Sequence, residues 1–333
     1  MGSRIVIYSS RLDPDADAMA SRLTELGHQP VRLNTEDLPA HSAIRLTHDG
    51  GDWAGAIEFD RSGPPLVVDE VGAIWVRRPD RYTMSDELAA DLHYFAAAET
   101  DHVLGGLFAS LDVLWVSHPA AIRAAGWKGE QLQRAARMGF RTPKTLITTD
   151  PDAVREFAET VPGDIVVKSM TGPAGMTRHH TGWRDHPLGR RQLLTKVVGP
   201  DQLEGLEQVR YAPCLFQEYV HKAFELRVTV IGDEAFTAKI DAYEGGVPAV
   251  DWRKPGIALR YSKFRLPADV EASCVEFVRG YGLNFGAVDL IAGIDGDFVF
   301  LENNPSGQFA EIDRAVPELG LADALASLLV RGR

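Results

Sequence analysis

The sequence predicts an α/β chain that turns α+β in its later part. Three observations carry this expectation. The first 126 residues alternate short apolar runs with capped helical stretches. A shorter stretch up to about residue 201 mixes two helical patterns with brief strands. The remainder is mostly strand-like and contains the two-residue hairpin signal Asp295-Gly296. A length of 333 residues fits two or three packed units. With 45% hydrophobic and 25% charged residues, the composition is that of an ordinary globular protein.

The elements follow in order. Residues 4–9 form an apolar strand. Asp13-Pro14 then places an N-cap before proline at the first helical position, starting a helix that runs to about Gly27. Residues 31–33 are a second strand. Residues 43–47 and 54–59 suggest antiparallel strands across Gly50-Gly51-Asp52. Residues 73–76 form a buried strand ending in Arg77-Arg78-Pro79. A long helix is expected over 85–111, then a strand at 113–116, and His118-Pro119 opens the next helices. Lys128 begins a helix closed by Gly139. Strands at 145–148 and 165–168 flank a helix capped by Asp150-Pro151, and residues 169–182 suggest a mobile loop. Strands at 214–219, 226–231, 235–240, 286–293 and 298–303 follow, with helices near 268–281 and 312–330.

The most informative stretch is the acidic hairpin. If Asp295-Gly296 forms the turn centre, Asp289 and Glu302 lie directly opposite each other, with Cβ atoms about 5 Å apart. Asn304 then lies on the same face. Two opposed carboxylates on an apolar hairpin repel, and a divalent cation would compensate them. An oxygen-only donor set points to Mg²⁺ or Mn²⁺ rather than Zn²⁺. The competing reading is an edge hairpin with one carboxylate in solvent.

Candidate cations surround this feature in the sequence. Lys168 ends an apolar strand beside the Gly-rich loop, either as a solvated cap or as a phosphate ligand. Lys128 sits at a helix N-terminus, where a cation is mildly unfavourable, which suggests a further task. Glu225 and Arg227 share one strand face, and the planar fork of Arg227 suits a phosphate, although a surface pair is the blander reading. Phe216-Gln217-Glu218-Tyr219-Val220 mixes apolar and hydrogen-bonding groups in a way suited to a purine. Asp251-Trp252-Arg253 occupies a Gly/Pro-rich loop. No GxxxxGK[ST] sequence occurs, which argues against a P-loop.

The net charge of −12 argues against a protein that coats nucleic acid. No apolar run approaches the length of a membrane span, and no membrane association is expected. Cys214 and Cys274, both in apolar surroundings, suggest reduced packed thiols and a cytoplasmic location.

Taken in this order, Lys128, Lys168, the 216–220 segment, Glu225-Leu226-Arg227, Asp289, Glu302 and Asn304 resemble the ATP-grasp fold over residues 127 to about 330. The whole chain resembles, more narrowly, the ATP-grasp maturases of ribosomally made peptides, the graspetide synthetases related to microviridin ligases. The matching stretches include residues 74–79, 114–119, 139–146, 251–253 and 302–308. The resemblance implies a pre-ATP-grasp α/β domain over 1–126. It also implies a small central subdomain over 127–201 with a peptide-docking role, and a C-terminal subdomain over 202–333 with the metal site.

The resemblance further implies ATP with two Mg²⁺ ions and a precursor peptide with a leader segment as partner. Lys128 and Lys168 would hold the nucleotide phosphates. Gln217, Glu218, Tyr219 and Val220 would meet the adenine, and Glu225 the ribose. Arg227, with Lys168, would act in phosphoryl transfer. Asp289, Glu302 and Asn304 would hold the metals. Arg78, Asp251 and Arg253 would serve the substrate. A homodimer is expected.

The family reaction activates an Asp or Glu side chain as an acyl-phosphate and joins it to a Thr, Ser or Lys side chain. Two departures stand out: Asn303 occupies a usually apolar position, and Glu225 a position where Asp is common. Competing readings are a glutathione-synthetase-like or glutamate-adding ligase, a phosphotransferase, and a non-catalytic binding protein on the same fold.

Overall fold

The computed structural model describes residues 4–60, 63–171, 194–199, 202–203 and 205–332. The chain opens with strand β1 (Arg4–Ser9), helix α1 (Pro14–Glu25) and strand β2 (Val31–Asn34). Asp13 caps α1 by accepting from Asp15 N at 3.1 Å, with Pro14 in the first turn. With β6 (Val71–Val76) and β7 (Leu114–Val116) these strands build a parallel sheet ordered β2-β1-β6-β7. Strands β3 (Ser42–Thr47), β4 (Ala54–Phe59) and β5 (Leu66–Val67) form a separate antiparallel sheet. Gly55 in β4 has φ +129°, and a Cβ there would lie 2.0 Å from the Arg45 carbonyl oxygen, so only glycine fits.

The long helix expected over 85–111 is shorter: α2 spans His93–Ser110. Ser85 diverts the backbone before it. Its hydroxyl accepts from Glu87 N at 3.2 Å and its carbonyl from Leu88 N at 3.0 Å, closing a local turn that competes with helix. A 3-10 turn at Ala90–Leu92 then leads into α2.

After α3 (Pro119–Ala124) and α4 (Lys128–Arg137), strands β8 (Thr145–Thr148), β9 (Ile165–Lys168), β10 (Lys196–Val198) and β11 (Cys214–Glu218) make an antiparallel sheet, ordered β10-β9-β11-β8. Helix α5 (Pro151–Thr160) covers it through Val154, packed with Val161, Ile165 and Phe216. From residue 172 onward the loop expected at 169–182 lies outside the described residues.

The largest sheet carries β12 (Lys222–Ile231), β13 (Glu234–Glu244), β14 (Val247–Pro248), β15 (Ala258–Lys263), β16 (Phe285–Gly293) and β17 (Phe298–Asn304). Its order is β14-β13-β12-β16-β17, with β15 added on β13. The sequence reading omitted β14 and β15; both are largely exposed edge strands without apolar alternation. Helix α6 (Ala268–Arg279) seats Cys274, Phe277 and Val278 against Val228, Val288 and Phe300.

The helix expected at 312–330 is broken into α7 (Ala310–Ala315) and α8 (Leu321–Arg331). Pro317 cannot continue α7, and a 3-10 turn at Pro317–Leu319 follows. Asp313 then accepts from Leu321 N at 2.7 Å and restarts the helix. Leu321, Leu325 and Leu329 of α8 pack with Ile5, Ile7, Met19 and Trp75 on one side and with Ile231 and Phe285 on the other. The first parallel sheet and the largest sheet therefore share one core. Cys214 and Cys274 are both free thiols. Among the described residues no helix is long and apolar enough to cross a membrane.

Candidate active site

Three adjacent strands of the largest sheet place their polar residues in one row. Arg227 on β12 pairs with Asp289 on β16, and Asp289 pairs with Glu302 on β17. Asn304 lies one step further along β17, opposite Ala287. The opposition of Asp289 and Glu302 matches the sequence-based register, but the turn does not. A two-residue turn at Asp295-Gly296 would set Ala292 against Val299. Instead Ala292 faces Phe298, and Gly293 N donates to Asp297 O at 2.9 Å. A bulge between the Asp289 and Leu290 pairs absorbs the one-residue offset at Leu301 and restores the acid pair.

The row is densely charged. Arg227 Nε donates to Asp289 Oδ1 at 2.6 Å and Nη2 to Oδ2 at 3.3 Å. Asn304 Nδ2 donates to the same Oδ2 at 3.0 Å. Lys128, at the start of α4, lies with its Nζ 2.9 Å from Glu302 Oε2 and 3.0 Å from Ser169 O. Burial alone would raise the Glu302 carboxyl, but Lys128 and Lys168 together pull it down to about 2. Asp289 is pushed up, first by burial and then by the charge of Glu302, despite Arg227. Lys168 is pushed down by burial, and Glu302 opposes the shift.

Other expected residues converge on this row. Asp251 accepts from Arg253 Nε at 2.8 Å and Nη2 at 2.6 Å, and from Thr195 N at 2.9 Å. Burial raises its carboxyl, yet the Arg253 pair prevails and holds it at about 2. Arg253 also feels Glu302 and Asp289. Arg78 sits at the edge of the site, 3.4 Å from Ser306 O through Nε. Burial and the neighbouring Arg77 lower it to about 10, with a smaller contribution from Arg227. A cluster of guanidinium groups that raise one another's energy is suited to an incoming anion.

The 216–220 segment is placed differently from a row of free contact groups. Gln217 Nε2 donates to Thr145 Oγ1 at 3.0 Å, and Glu218 accepts from Lys144 N at 3.3 Å. The amides of Glu218 and Tyr219 already donate to Lys144 O at 3.0 Å and Asp164 O at 2.9 Å. Val220 is buried with Ile291, Val299 and Leu301. Tyr219 and Lys222 line a cleft of about 410 Å³ with Val197, Val247 and Val250.

Lys222 and Gln131 were not singled out from the sequence, and Trp252 was named there only as part of its loop. Lys222 is buried, makes a short hydrogen bond to Glu225, and donates to Val250 O at 3.2 Å. The Glu225 carboxyl is pushed up by burial, and Lys222 opposes this. A lysine three residues before a glutamate looks like a surface pair until the sheet closes over it. Trp252 lies under Arg227, 5.4 Å from guanidinium carbon to ring centroid. Gln131 on α4 donates to Asn303 O at 2.9 Å and accepts from Asn303 N at 2.7 Å, tying the lysine helix to the acid strand.

Among the described residues no group of three or more His, Cys, Asp or Glu side chains is suited to a metal. What the site offers is two carboxylates and one amide oxygen on one face, a hard oxygen set that leaves positions for water and phosphate oxygens. The residues fit Mg²⁺.

The chain has the ATP-grasp fold, here with a pre-ATP-grasp domain at the N-terminus. Residues 6–123 match the MvdD pre-ATP grasp domain family. The chain is similar to macrocyclase MdnC from Microcystis aeruginosa MRC, solved with precursor peptide MdnA, at 28% identity and TM-score 0.82 over 99% of both chains. It is also similar to a Chryseobacterium gregarium RiPP-associated ATP-grasp ligase, solved with ADP and a leader and core peptide. That match has 26% identity and TM-score 0.84, over 99% of this chain and 97% of the other. A probable alpha-L-glutamate ligase of Pseudoalteromonas translucida (strain TAC 125) is 26% identical over 204 residues, 60% of this chain. The match spans 62% of the length of that curated relative.

Proposed function

We propose that the protein is an ATP- and Mg²⁺-dependent macrocyclase of a ribosomally made precursor peptide. It activates an Asp or Glu side chain as an acyl-phosphate and joins it to a Thr or Ser hydroxyl, or a Lys amine, of the same peptide. The observation that carries this reading is the Arg227–Asp289–Glu302 row, with Lys128 on its acid end and Arg78 and Arg253 at its edge. Similarity to MdnC and to the Chryseobacterium ligase over nearly the whole chain supports a peptide substrate.

In this reading Asp289, Glu302 and Asn304 would hold two Mg²⁺ ions, which would supply charge neutralisation during phosphoryl transfer. Lys128 exchanges its present Glu302 contact for a nucleotide phosphate, and Lys168 meets the phosphates beside it. The 217–220 segment meets the adenine, and Glu225, held by Lys222, the ribose. Arg78 and Arg253, the latter aligned by Asp251, orient the donor carboxylate.

A carboxylate oxygen attacks the γ-phosphorus and ADP leaves, while Arg227 stabilises the transferring group through its fork. The acceptor oxygen or nitrogen then attacks the acyl carbon, loses its proton, and phosphate departs. Holding donor and acceptor together supplies much of the rate gain. The division at 1–126, 127–201 and 202–333 assigns peptide docking to the central part. The protein acts in the cytoplasm as a homodimer and takes no nucleic acid.

The matched curated relative, a probable alpha-L-glutamate ligase, favours a second reading, addition of an amino acid to a peptide or small molecule. Product mass separates the two. Ring closure removes one water per cross-link, glutamate addition adds a residue, and arrest at the ester of phosphate adds phosphate. With ATP, Mg²⁺ and a cognate precursor, the expected product is dehydrated. Glu302→Gln should abolish this while leaving the fold intact by circular dichroism. Full turnover by that variant would overturn the metal-site assignment, and a glutamylated product would overturn the macrocyclase reading.

A further inference from the structure

Strand β17 is the last strand of the largest sheet, and β16 pairs with it along one edge. An edge strand leaves a row of backbone donors and acceptors on its other side. Two contacts close that side here. Phe300 N donates to Arg141 O at 2.8 Å. Three residues on, Asn303 presents both its N–H and its C=O to Gln131 of α4. The Gln131 amide accepts from Asn303 N at 2.7 Å and donates to Asn303 O at 2.9 Å. One side chain thus takes the place of a neighbouring strand for a single residue. The same Nε2 donates to Ala125 O at 2.5 Å, which fixes how the amide is turned.

The clamped residue lies between two candidate metal ligands. Side chains alternate along a strand, so Glu302 and Asn304 share one face and Asn303 turns to the other. Gln131 and Asn303 are each 2% exposed. Asn303 Nδ2 and Oδ1 have no hydrogen-bond partner among the described residues, so that side chain does not itself hold the strand. The bulge between the Asp289 and Leu290 pairs interrupts the ladder just before Glu302. The strand is therefore least constrained by β16 where its ligands begin, and there Gln131 supplies a further pair. Helix α4 is anchored separately, through Leu132, Ala135 and Met138 packed with Val288 and Phe300.

We propose that Gln131 is a positioning residue for the metal site: by clamping the Asn303 backbone it sets Glu302 and Asn304 for Mg²⁺. It acts through the strand and touches neither substrate nor nucleotide. The inference rests on the metal-site reading above and deepens it. Mg²⁺ demands near-ideal octahedral geometry, with oxygens at about 2.0–2.1 Å, so a small drift of the strand is felt at the ion. A residue that merely packed α4 on the sheet would affect stability without singling out metal affinity.

Mn²⁺ binding by the full chain with equimolar ADP, measured against ADP alone from the electron paramagnetic resonance signal of the free ion, tests this without peptide or turnover. Gln131→Met keeps the length of the side chain and removes the clamp. Its Mn²⁺ affinity should fall about 10–100-fold, the usual loss when a group that orients a metal ligand is removed. Its ADP affinity without metal should be unchanged. Gln131→Ala leaves room for water on the freed backbone groups, so it folds even if the methionine variant does not, and it should lose as much. Ala135→Gly loosens the same helix with the clamp intact, and should bind Mn²⁺ as the wild type does. Circular dichroism checks that each variant is folded. Wild-type Mn²⁺ affinity in folded Gln131→Met or Gln131→Ala would overturn the positioning role alone. An equal loss in Ala135→Gly would overturn it too, by tracing the effect to helix packing. A wild-type protein that binds ADP but no Mn²⁺ would overturn the metal-site reading itself.

Discussion

Asp15→Asn should unfold the protein far more readily than its size as a substitution suggests. Asp15 and Arg77 have side chains 2% and 0% exposed, and they form a short ion pair between α1 and the end of β6. Asp15 Oδ1 accepts from Phe309 N at 3.0 Å and Ala310 N at 2.7 Å, so it caps the start of α7. Arg77 also makes a short hydrogen bond to Ser306 O. The latch joins the N-terminal sheet to the segment that follows the acid strand. In the same segment Gln308 O lies 3.5 Å from Arg227 Nη1.

Asparagine preserves Oδ1 and both backbone contacts. It sets an amide N–H where Oδ2 met the guanidinium, donor against donor. Removing one partner of a buried pair costs about 3–5 kcal/mol. Asp13, 3.6 Å from Arg77 Nε, should hold the loss near the lower end. That is a large share of the roughly 5–15 kcal/mol by which such proteins are stable.

Urea unfolding followed by fluorescence measures the effect as a fall in midpoint at constant slope. The double variant Asp15→Asn/Arg77→Met removes the stranded charge and should be no less stable than the single one, since Ser306 O keeps its 3.4 Å contact from Arg78, Asp13 keeps Ser9 Oγ and Asp15 N, and the lost hydrogen bond costs about 1 kcal/mol. A single-variant loss below about 1 kcal/mol, or a double variant as unstable as the two single losses added, would refute the account. The Asp15 carboxyl is held down: burial opposes this, and Arg77 and the two amides prevail. Its stabilisation is therefore present above the ordinary carboxylate range and lost as pH falls below it.

Arg227→Lys keeps the charge but loses the fork to both oxygens of Asp289. Turnover should fall by about 10²–10³, as for other donors to developing charge, with a modest drop in Tm; near-normal kcat would assign Arg227 to structure alone. Asp251, at about 2 against its ordinary 3.8, contributes stability above pH 3.8 that is lost as pH falls towards 2. The acid unfolding limb should accordingly be shallower in Asp251→Asn, and identical limbs would contradict the Arg253 pairing. A leaderless core peptide should be cyclised much more slowly at low concentration, because a flexible peptide must offset its ordering entropy with distant contacts. Equal rates by mass spectrometry would remove the leader from the reading.

Much of the local structure was legible in the sequence. The Asp13-Pro14 cap, the lysine at the start of α4 and the opposed Asp289 and Glu302 all follow from short-range rules of helix starts and strand alternation. Even there the agreement at the acids needed a bulge at Leu301, which no residue pattern announced, because the turn is longer than Asp295-Gly296 suggests. Ser85 and Pro317 carry visible helix-breaking chemistry, and the broader periodicity around them outweighed it.

The Asp15–Arg77 latch, the Lys222–Glu225 pair and the Trp252 shelf under Arg227 were decided only by tertiary structure. Each joins a charged group to a partner whose nearness depends on chain crossings or on burial. In an exposed segment the same side chains would remain solvated. Once the sheets close over them, the cost of leaving water makes each find an opposite charge. Periodicity and turn chemistry act over a few residues and can be read along the chain. Desolvation acts through space and is set only when the units pack.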